Sequence, residues 1–343
     1  MARMLFDISE ERRQQVRVNA RNQRGWTPLH MAIARSDFMM TALLMRKGGD
    51  PNMVNGEGSS PLHTICAKSH DDYLFATALF DLIKEENRPY QVDIRDLKFG
   101  DTPLHVAVRK GHTGMVQLLL TKGANPNLRD HNMRTPLQLA VERASPRLVD
   151  LLLDHDIDMF RFVFPTESDF DGRLSRRPEE EREHFQLRLA ADLLYVATRL
   201  ENRGYNLKPS DVATIMKLFV KHDLLNKCDV KVNRYDDSEF KRRAKLITIR
   251  DDYDLSLYDL IKMQPEEADK HLTYRDYSNF ASSAKLSCIP ESHRRTCTRN
   301  LCEKLSRGFF RRWALHICTE SNNEKLMKIF LTNSNLKADT DQK

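Results

Sequence analysis

Thr27-Pro28-Leu29-His30, Ser60-Pro61-Leu62-His63, Thr102-Pro103-Leu104-His105 and Thr135-Pro136-Leu137-Gln138 are four copies of one word, and their spacing decides the fold. The first and last intervals are 33 residues and the middle one is 42. Thr or Ser at a helix N-cap accepts a hydrogen bond from an orphan backbone N–H, worth about 0.5–2 kcal/mol over Ala. Pro suits the first helical position, where no N–H is needed. Leu29, Leu62, Leu104 and Leu137 are then expected in a shared core, with the small residues Ala32, Cys66, Ala107 and Ala140 where helices approach closely. A second helix follows each word, as in ALLMRKGGDPN from Ala42 and QLLLTKGANPN from Gln117. Gly48 and Gly123 fall where a left-handed C-cap is needed. Asp50-Pro51-Asn52 and Asn125-Pro126-Asn127 are turn formers.

Asn19, Asn52, Asp93 and Asn127 recur at intervals of 33, 41 and 34. Comparing both sets of intervals puts eight extra residues within 74–92 and one near Lys98–Phe99. A 33-residue period carrying T-P-L-H-x-A resembles the ankyrin repeat. Val18-Asn19-Ala20 reads as the end of an earlier unit. The expected organisation is a cap or truncated repeat over 1–17, four repeats over 18–164, a polar Pro/Gly linker over 165–178 and a helical domain over 179–343. The resemblance implies an all-α solenoid, followed by an α-helical C-terminal domain, that binds another protein along a concave face and performs no chemistry.

Binding is expected from the variable positions. Fingertip candidates are Gln23, Arg24 and Trp26, then Glu57 and Ser59, then Lys98, Phe99 and Asp101, then Asn132 and Arg134. On the first helices the groove candidates are Met31, Thr64, Val106 and Leu139. Five residues after each His or Gln stands a base: Arg35, Lys68, Lys110 and Arg143. With stacked helices about 8–10 Å apart, these could form a ladder for an acidic segment of a partner. Solvated helix ends, where cations favour the dipole, are the preferred reading of this column. The repeated His30, His63 and His105 are read as hydrogen-bonding groups within and between fingers. They are too far apart to share a metal, whose ligands sit at about 2 Å. Trp26 is read as packing on its own finger.

Beyond the linker, Phe185, Leu189, Leu193, Val196 and Leu200 mark one face of a helix opened by acidic residues at 179–183. Ser210 and Asp211 start another, with Ile215, Leu218 and Phe219 apolar; a last long helix is expected over about 294–318, with Leu301, Cys302, Leu305, Phe309, Trp313 and Ile317 on one stripe. The segments SLYDLIKMQPEEADKHLTYRDYSNFA from Ser256 and LCEKLSRGFFRRWAL from Leu301 resemble the region after the repeats in PRANC-type proteins of parasitoid wasps and poxviruses. That resemblance implies an F-box-like end that recruits a ubiquitin-ligase adaptor. EKLMKIFLTNSNL, from Glu324, keeps the apolar spacing but lacks the Leu-Pro of that motif, so an ordinary terminal amphipathic helix is the alternative.

Composition narrows the remaining classes. The formal charge of +6 divides as +2 over 1–164 and +4 over 165–343, too even to argue for nucleic acid. The mixed bases and aromatics from Ser306 to Trp313 are read as a core helix with arginines facing water, in preference to a nucleic-acid or membrane surface. No window reads as a membrane span or a signal-peptide core. Six cysteines without tight pairing suit a reduced interior, so the chain is expected in the cytoplasm or nucleus. Cys288, Cys297, Cys302 and Cys318 with His293 and His316 lack a CxxC knuckle, and buried thiols are expected there in place of zinc. Walker, dinucleotide, HExxH, GxSxG and kinase motifs are absent, so neither catalysis nor a cofactor is expected. The expectation is therefore a monomeric interaction scaffold. Its alternatives are a ligase adaptor, an inhibitor that masks a transcription factor, and a decayed gene product that starts inside a repeat and stops early.

Overall fold

The computed structural model describes residues 16–224, 237–250 and 255–320, and of 312 and 314–320 the backbone alone. Two compact units divide them. One takes Met1–Val141 with Arg147–Val163; the other takes Glu142–Pro146 and everything from Phe164.

In the first unit each repeated word opens a helix. The pairs are α1 (Pro28–Ala34) with α2 (Phe38–Arg46), α3 (Pro61–Cys66) with α4 (Tyr73–Glu85), α5 (Pro103–Lys110) with α6 (Thr113–Thr121), and α7 (Pro136–Glu142) with α8 (Pro146–Leu153). The Thr27, Ser60 and Thr102 hydroxyls accept from the backbone N–H of His30, His63 and His105. First helices stack on first helices, α1 on α3 on α5, and second on second, α2 on α4 on α6. Leu29, Leu62, Leu104 and Leu137 are all buried, forming the spine that the repeat demands. Counting from each His, the equivalent of Ala32 is Ile65; Cys66 falls one place later, in register with Ile33.

The second repeat departs from the others in a way that the spacing did not locate. Its second helix starts ten residues after His63, against eight after His30 and His105. Two of the extra residues therefore lie in the inter-helix turn at 69–72, outside the window 74–92. Helix α4 is also longer, at 13 residues against nine for α2 and α6. The rest follow in its exit turn and in the finger at Lys98–Phe99.

The second unit is built around α9 (Arg182–Asn202). Periodicity marked one apolar face, yet this helix is buried around most of its girth, including Leu187, Ala190, Ala191 and Leu194. The reason is that α14 (Tyr274–Ser282) and α15 (Glu291–Glu320) both pack along it. Helix α10 (Pro209–Lys221) and α13 (Pro265–His271) rest on α15, and α11 (Ser238–Leu246) on α12 (Leu257–Lys262). Leu301, Cys302, Leu305 and Phe309 of α15 are buried, as its stripe predicts. The stretch read as a linker contains a capped 3-10 turn, Glu167–Phe170, whose Phe170 ring lies buried 6.3 Å from that of Phe164. Phe164 and Phe170 thus anchor its first half within this unit. Among the described residues the one non-helical pairing is an antiparallel bridge between Thr248 and Ser256. Cys297 and Cys302 are buried thiols, whereas Cys288 is exposed, a departure from the expectation of burial. The F-box-like segment 324–336 and residues 1–15 lie outside the described residues, as do the side chains of His316 and Cys318.

Candidate protein-binding surface

Each finger is a tight turn locked by one side chain. Asn22 Oδ1 accepts the N–H groups of Arg24 and Trp26, both at 2.9 Å. Asn55 serves Glu57 and Ser59, Asp96 serves Phe99 and Asp101, and Asp130 serves Asn132 and Arg134. Such Asx turns are what short polar side chains supply at no cost to the chain's direction. Neighbouring fingers are then joined through backbone: Gly56 N–H to Arg24 O at 2.9 Å, Leu97 to Glu57 at 2.8 Å, and His131 to Phe99 at 2.8 Å. Gly25 makes this approach possible. It has φ +73°, and a Cβ there would stand 2.4 Å from Gly56 N. In the fourth finger Met133 occupies that slot at φ +62°, with its side chain exposed.

The histidines tie each finger to its own helix and to the next finger. Nδ1 of His30, His63 and His105 accepts the N–H of Thr27, Ser60 and Thr102, so it carries no proton. Nε2–H then donates to the carbonyls of Ser59 at 3.0 Å, Asp101 at 3.0 Å and Arg134 at 3.1 Å. Gln138 repeats both contacts, its Oε1 taking the Thr135 N–H at 2.8 Å and its Nε2 reaching Val163 O at 2.9 Å. Burial lowers the proton affinity of all three imidazoles below the ordinary value. Among the described residues no group of three or more His, Cys, Asp or Glu is arranged to hold a metal.

Asn19, Asn52 and Asn127 staple successive repeats by a second device. Asn19 donates to Gly48 O and accepts from Asp50 N–H. Asn52 does the same with Pro89 and Gln91, and Asn127 with Asp156 and Asp158. Asp93, in the equivalent place, only accepts, from Asn125 N–H. Burial raises its carboxyl above the ordinary value, the Asn125 bond opposing this.

On this frame the fingertip candidates separate into two kinds. Arg24, Glu57, Lys98, Phe99 and Asn132 are exposed. Trp26 is half-buried with its ring 5.9 Å from that of His30, so it packs on its own finger. Gln23 is exposed and Ser59 half-buried. Asp101 and Arg134 are structural: Arg109 bridges Asp101 at 2.8 Å and Asp130 at 3.4 Å, and Arg134 pairs with Asp130 at 2.9 Å. Burial alone would raise the Asp130 carboxyl, but the Arg134 hydrogen bonds outweigh it and hold it low. Leu97 and Met133, which the sequence reading passed over, are the more exposed apolar tips, at 72% and 61%. The available signal was their place in the chain, Leu97 beside Lys98 and Met133 between Asn132 and Arg134.

The groove candidates differ as well. Met31 is exposed, Thr64 and Val106 are half-buried, and Leu139 is 0% exposed. Complete packing removes Leu139 from the candidate contacts. The basic column is not four equivalent rungs. Lys68 Nζ lies 2.6 Å from Asp72 and 4.6 Å from the Phe75 ring centroid, so it is committed internally. Arg143 falls in the second unit, where burial and then the Arg173 guanidinium lower its proton affinity. Arg35 and Lys110 are exposed and make no ion pair among the described residues.

Family models for ankyrin repeats match residues 11–65 and 75–162. Similar proteins include the human transient receptor potential cation channel subfamily A member 1, 47% identical over 57 residues, which is 17% of this chain and 5% of that protein. The mouse B-cell lymphoma 3 protein homolog is 34% identical over 139 residues, 40% of this chain and 30% of that one. The chain thus spans less than a third of the length of either relative. The crystal structure of the ankyrin repeat domain of Bcl-3, described as a unique member of the IkappaB protein family, aligns with a TM-score of 0.45 at 25% identity, covering 59% of this chain and 80% of that one. The chain carries ankyrin repeats. Among the described residues no helix is long and apolar enough to cross a membrane.

Proposed function

We propose that these ankyrin repeats hold a protein partner on the fingertips and adjoining groove, with Arg24, Met31, Glu57, Thr64, Lys98, Phe99 and Asn132 as the contacting side chains. One observation carries the reading. Side chains of different chemistry stand exposed on finger backbones fixed by Asx turns and finger-to-finger hydrogen bonds. A rigid frame with variable tips loses little entropy on binding. Exposed Arg24 and Lys98 favour a partner with an acidic segment, since exposed charge steers encounter and sets salt dependence.

Proximity labelling in cells with the full chain tests this. The double variant Lys98→Glu/Phe99→Ala should lose the leading labelled proteins, because aromatic and basic anchors dominate interfaces. An unchanged set would remove the fingertips from the interface. A narrower form of the same reading has a transcription factor as the partner, masked by the repeats. Reporter repression by residues 1–164 at the strength of the full chain is its expected result. The ligase-adaptor reading requires instead a Skp-type adaptor captured by the full chain and lost on deletion of 320–343.

A further inference from the structure

The end of each repeat away from the fingers carries a second surface. Inter-helix turns meet there, at the C-terminal ends of α1, α3 and α5. Large apolar side chains stand in the open in two consecutive repeats: Phe38 and Met39 at the start of α2, Tyr73 and Leu74 at the start of α4. Met39 and Leu74 are 66% and 68% exposed. Their neighbours are fixed. Phe38 meets Phe75 edge to face at 6.1 Å, and Ser36 Oγ donates to Asp72 at 3.3 Å. Tyr73 lies over Gly114 so closely that a Cβ there would be 2.7 Å from its ring. The two-residue insertion of repeat two brings Asp71 onto the start of α6, where it accepts the N–H groups of Gly114 at 2.7 Å and Met115 at 3.0 Å. On this ridge the exposed side chains of the two repeats are therefore held against each other and against the third repeat.

Its charges are unequally satisfied. Asp37 takes the Met40 N–H, Asp71 takes two N–H groups of α6, and Asp72 takes Lys68. Arg35 and Lys110, at the two ends of the ridge, are exposed and keep all their side-chain donors unused among the described residues. Contiguous exposed apolar groups rimmed by polar ones mark interaction sites. We infer that this ridge is a second docking site, separate from the fingertips, for a peptide segment whose large apolar side chains cover Met39 and Leu74 and whose flanking carboxylates meet Arg35 and Lys110.

Panning a random peptide library against the full chain, with affinities measured by fluorescence anisotropy, tests the inference. Enriched peptides should combine aromatic or aliphatic residues with Asp or Glu. Met39→Asp/Leu74→Asp should weaken them by about 10-fold or more, the scale of losing buried anchors. Aspartate in the first turn of α2 and α4 suits the helix dipole, so a folded variant is expected, and circular dichroism checks it. Arg35→Glu/Lys110→Glu should weaken the same peptides and abolish their salt dependence. Peptides indifferent to both variants, or basic ones, would overturn the inference. Peptides sensitive only to Lys98→Glu/Phe99→Ala would sustain the fingertip reading and remove the ridge. Self-association of the wild type, lost in Met39→Asp/Leu74→Asp, would also overturn it, because the occupant would then be a second copy.

Discussion

In the repeats the main buried polar contact recurs. The hydroxyl–imidazole–carbonyl chain appears three times, and once more with Gln138 in place of His. In the second unit the buried polar contacts are single events centred on α9. Asp192 accepts from Ser278 of α14 at 2.6 Å and from Arg188 at 3.3 Å, while Arg188 also pairs with Glu180 at 2.7 Å. Damage to one link of a linear array is felt by its neighbours. Damage to a helix wrapped by two others is felt by the whole unit. The two regions also respond to acid with opposite signs. Burial lowers the proton affinity of His30, His63 and His105, whereas burial pushes the Asp192 carboxyl up to about 6, with Ser278 and Arg188 opposing.

The largest expected effects come from core truncation. Leu29→Ala and Leu194→Ala should each cost about 2–5 kcal/mol. Hydrogen exchange by mass spectrometry on the full chain should show faster exchange for Leu29→Ala confined to about residues 16–60, and for Leu194→Ala throughout α9, α14 and α15. Equal acceleration across all four repeats in Leu29→Ala would erase the contrast.

Histidine substitution sharpens it. Folded-state pKa values below 6.5 mean that the unfolded chain binds more protons, so this contribution is complete above pH 6.5 and is lost as pH falls through the folded values. Exchange protection of the repeats should decline over that window. His63→Gln/His105→Gln should fold, because Gln138 already makes the equivalent bonds, and should flatten the decline. Alanine at either site should cost about 1–3 kcal/mol through the orphaned carbonyl and N–H. Asp192 runs the other way. Its raised pKa means that the folded form binds the extra proton, so its penalty is present above about pH 6 and is relieved towards the unfolded value near pH 4. Asp192→Asn should therefore gain thermal stability relative to wild type as pH rises from 5 to 7.5, and a constant difference would refute the assignment.

The repeats were legible because period, N-cap and helix-starting Pro all coincide in one word, and the buried Leu29, Leu62, Leu104 and Leu137 followed from it. The finger locks Asn22, Asn55, Asp96 and Asp130 were equally periodic, at intervals of 33, 41 and 34, but Asn and Asp occur so freely in turns that the signal was missed. Lys68 and Arg143 matched Arg35 and Lys110 in type and register, and only their surroundings separate the two pairs. In the second unit the spacing found helices, yet it could not tell a half-buried helix from one enclosed on most sides, since Ala190 and Ala191 read as neutral positions.

Smaller effects probe the joints between repeats. Asp71→Ala should cost about 0.5–2 kcal/mol, the worth of a cap, and should raise exchange at the start of α6, in the next repeat. Asp93→Asn should add about 0.5–1.5 kcal/mol by restoring the missing donor, read as a higher melting temperature at pH 7.5.

Asp71 belongs to one repeat and finishes the helix of another, because His112, at the native cap position of α6, makes no side-chain bond there. The second and third repeats are in consequence not interchangeable bricks. Excising the second, or grafting the third into a designed array, would leave the opening N–H groups of α6 without their acceptor, so the smallest portable piece of this solenoid is the pair.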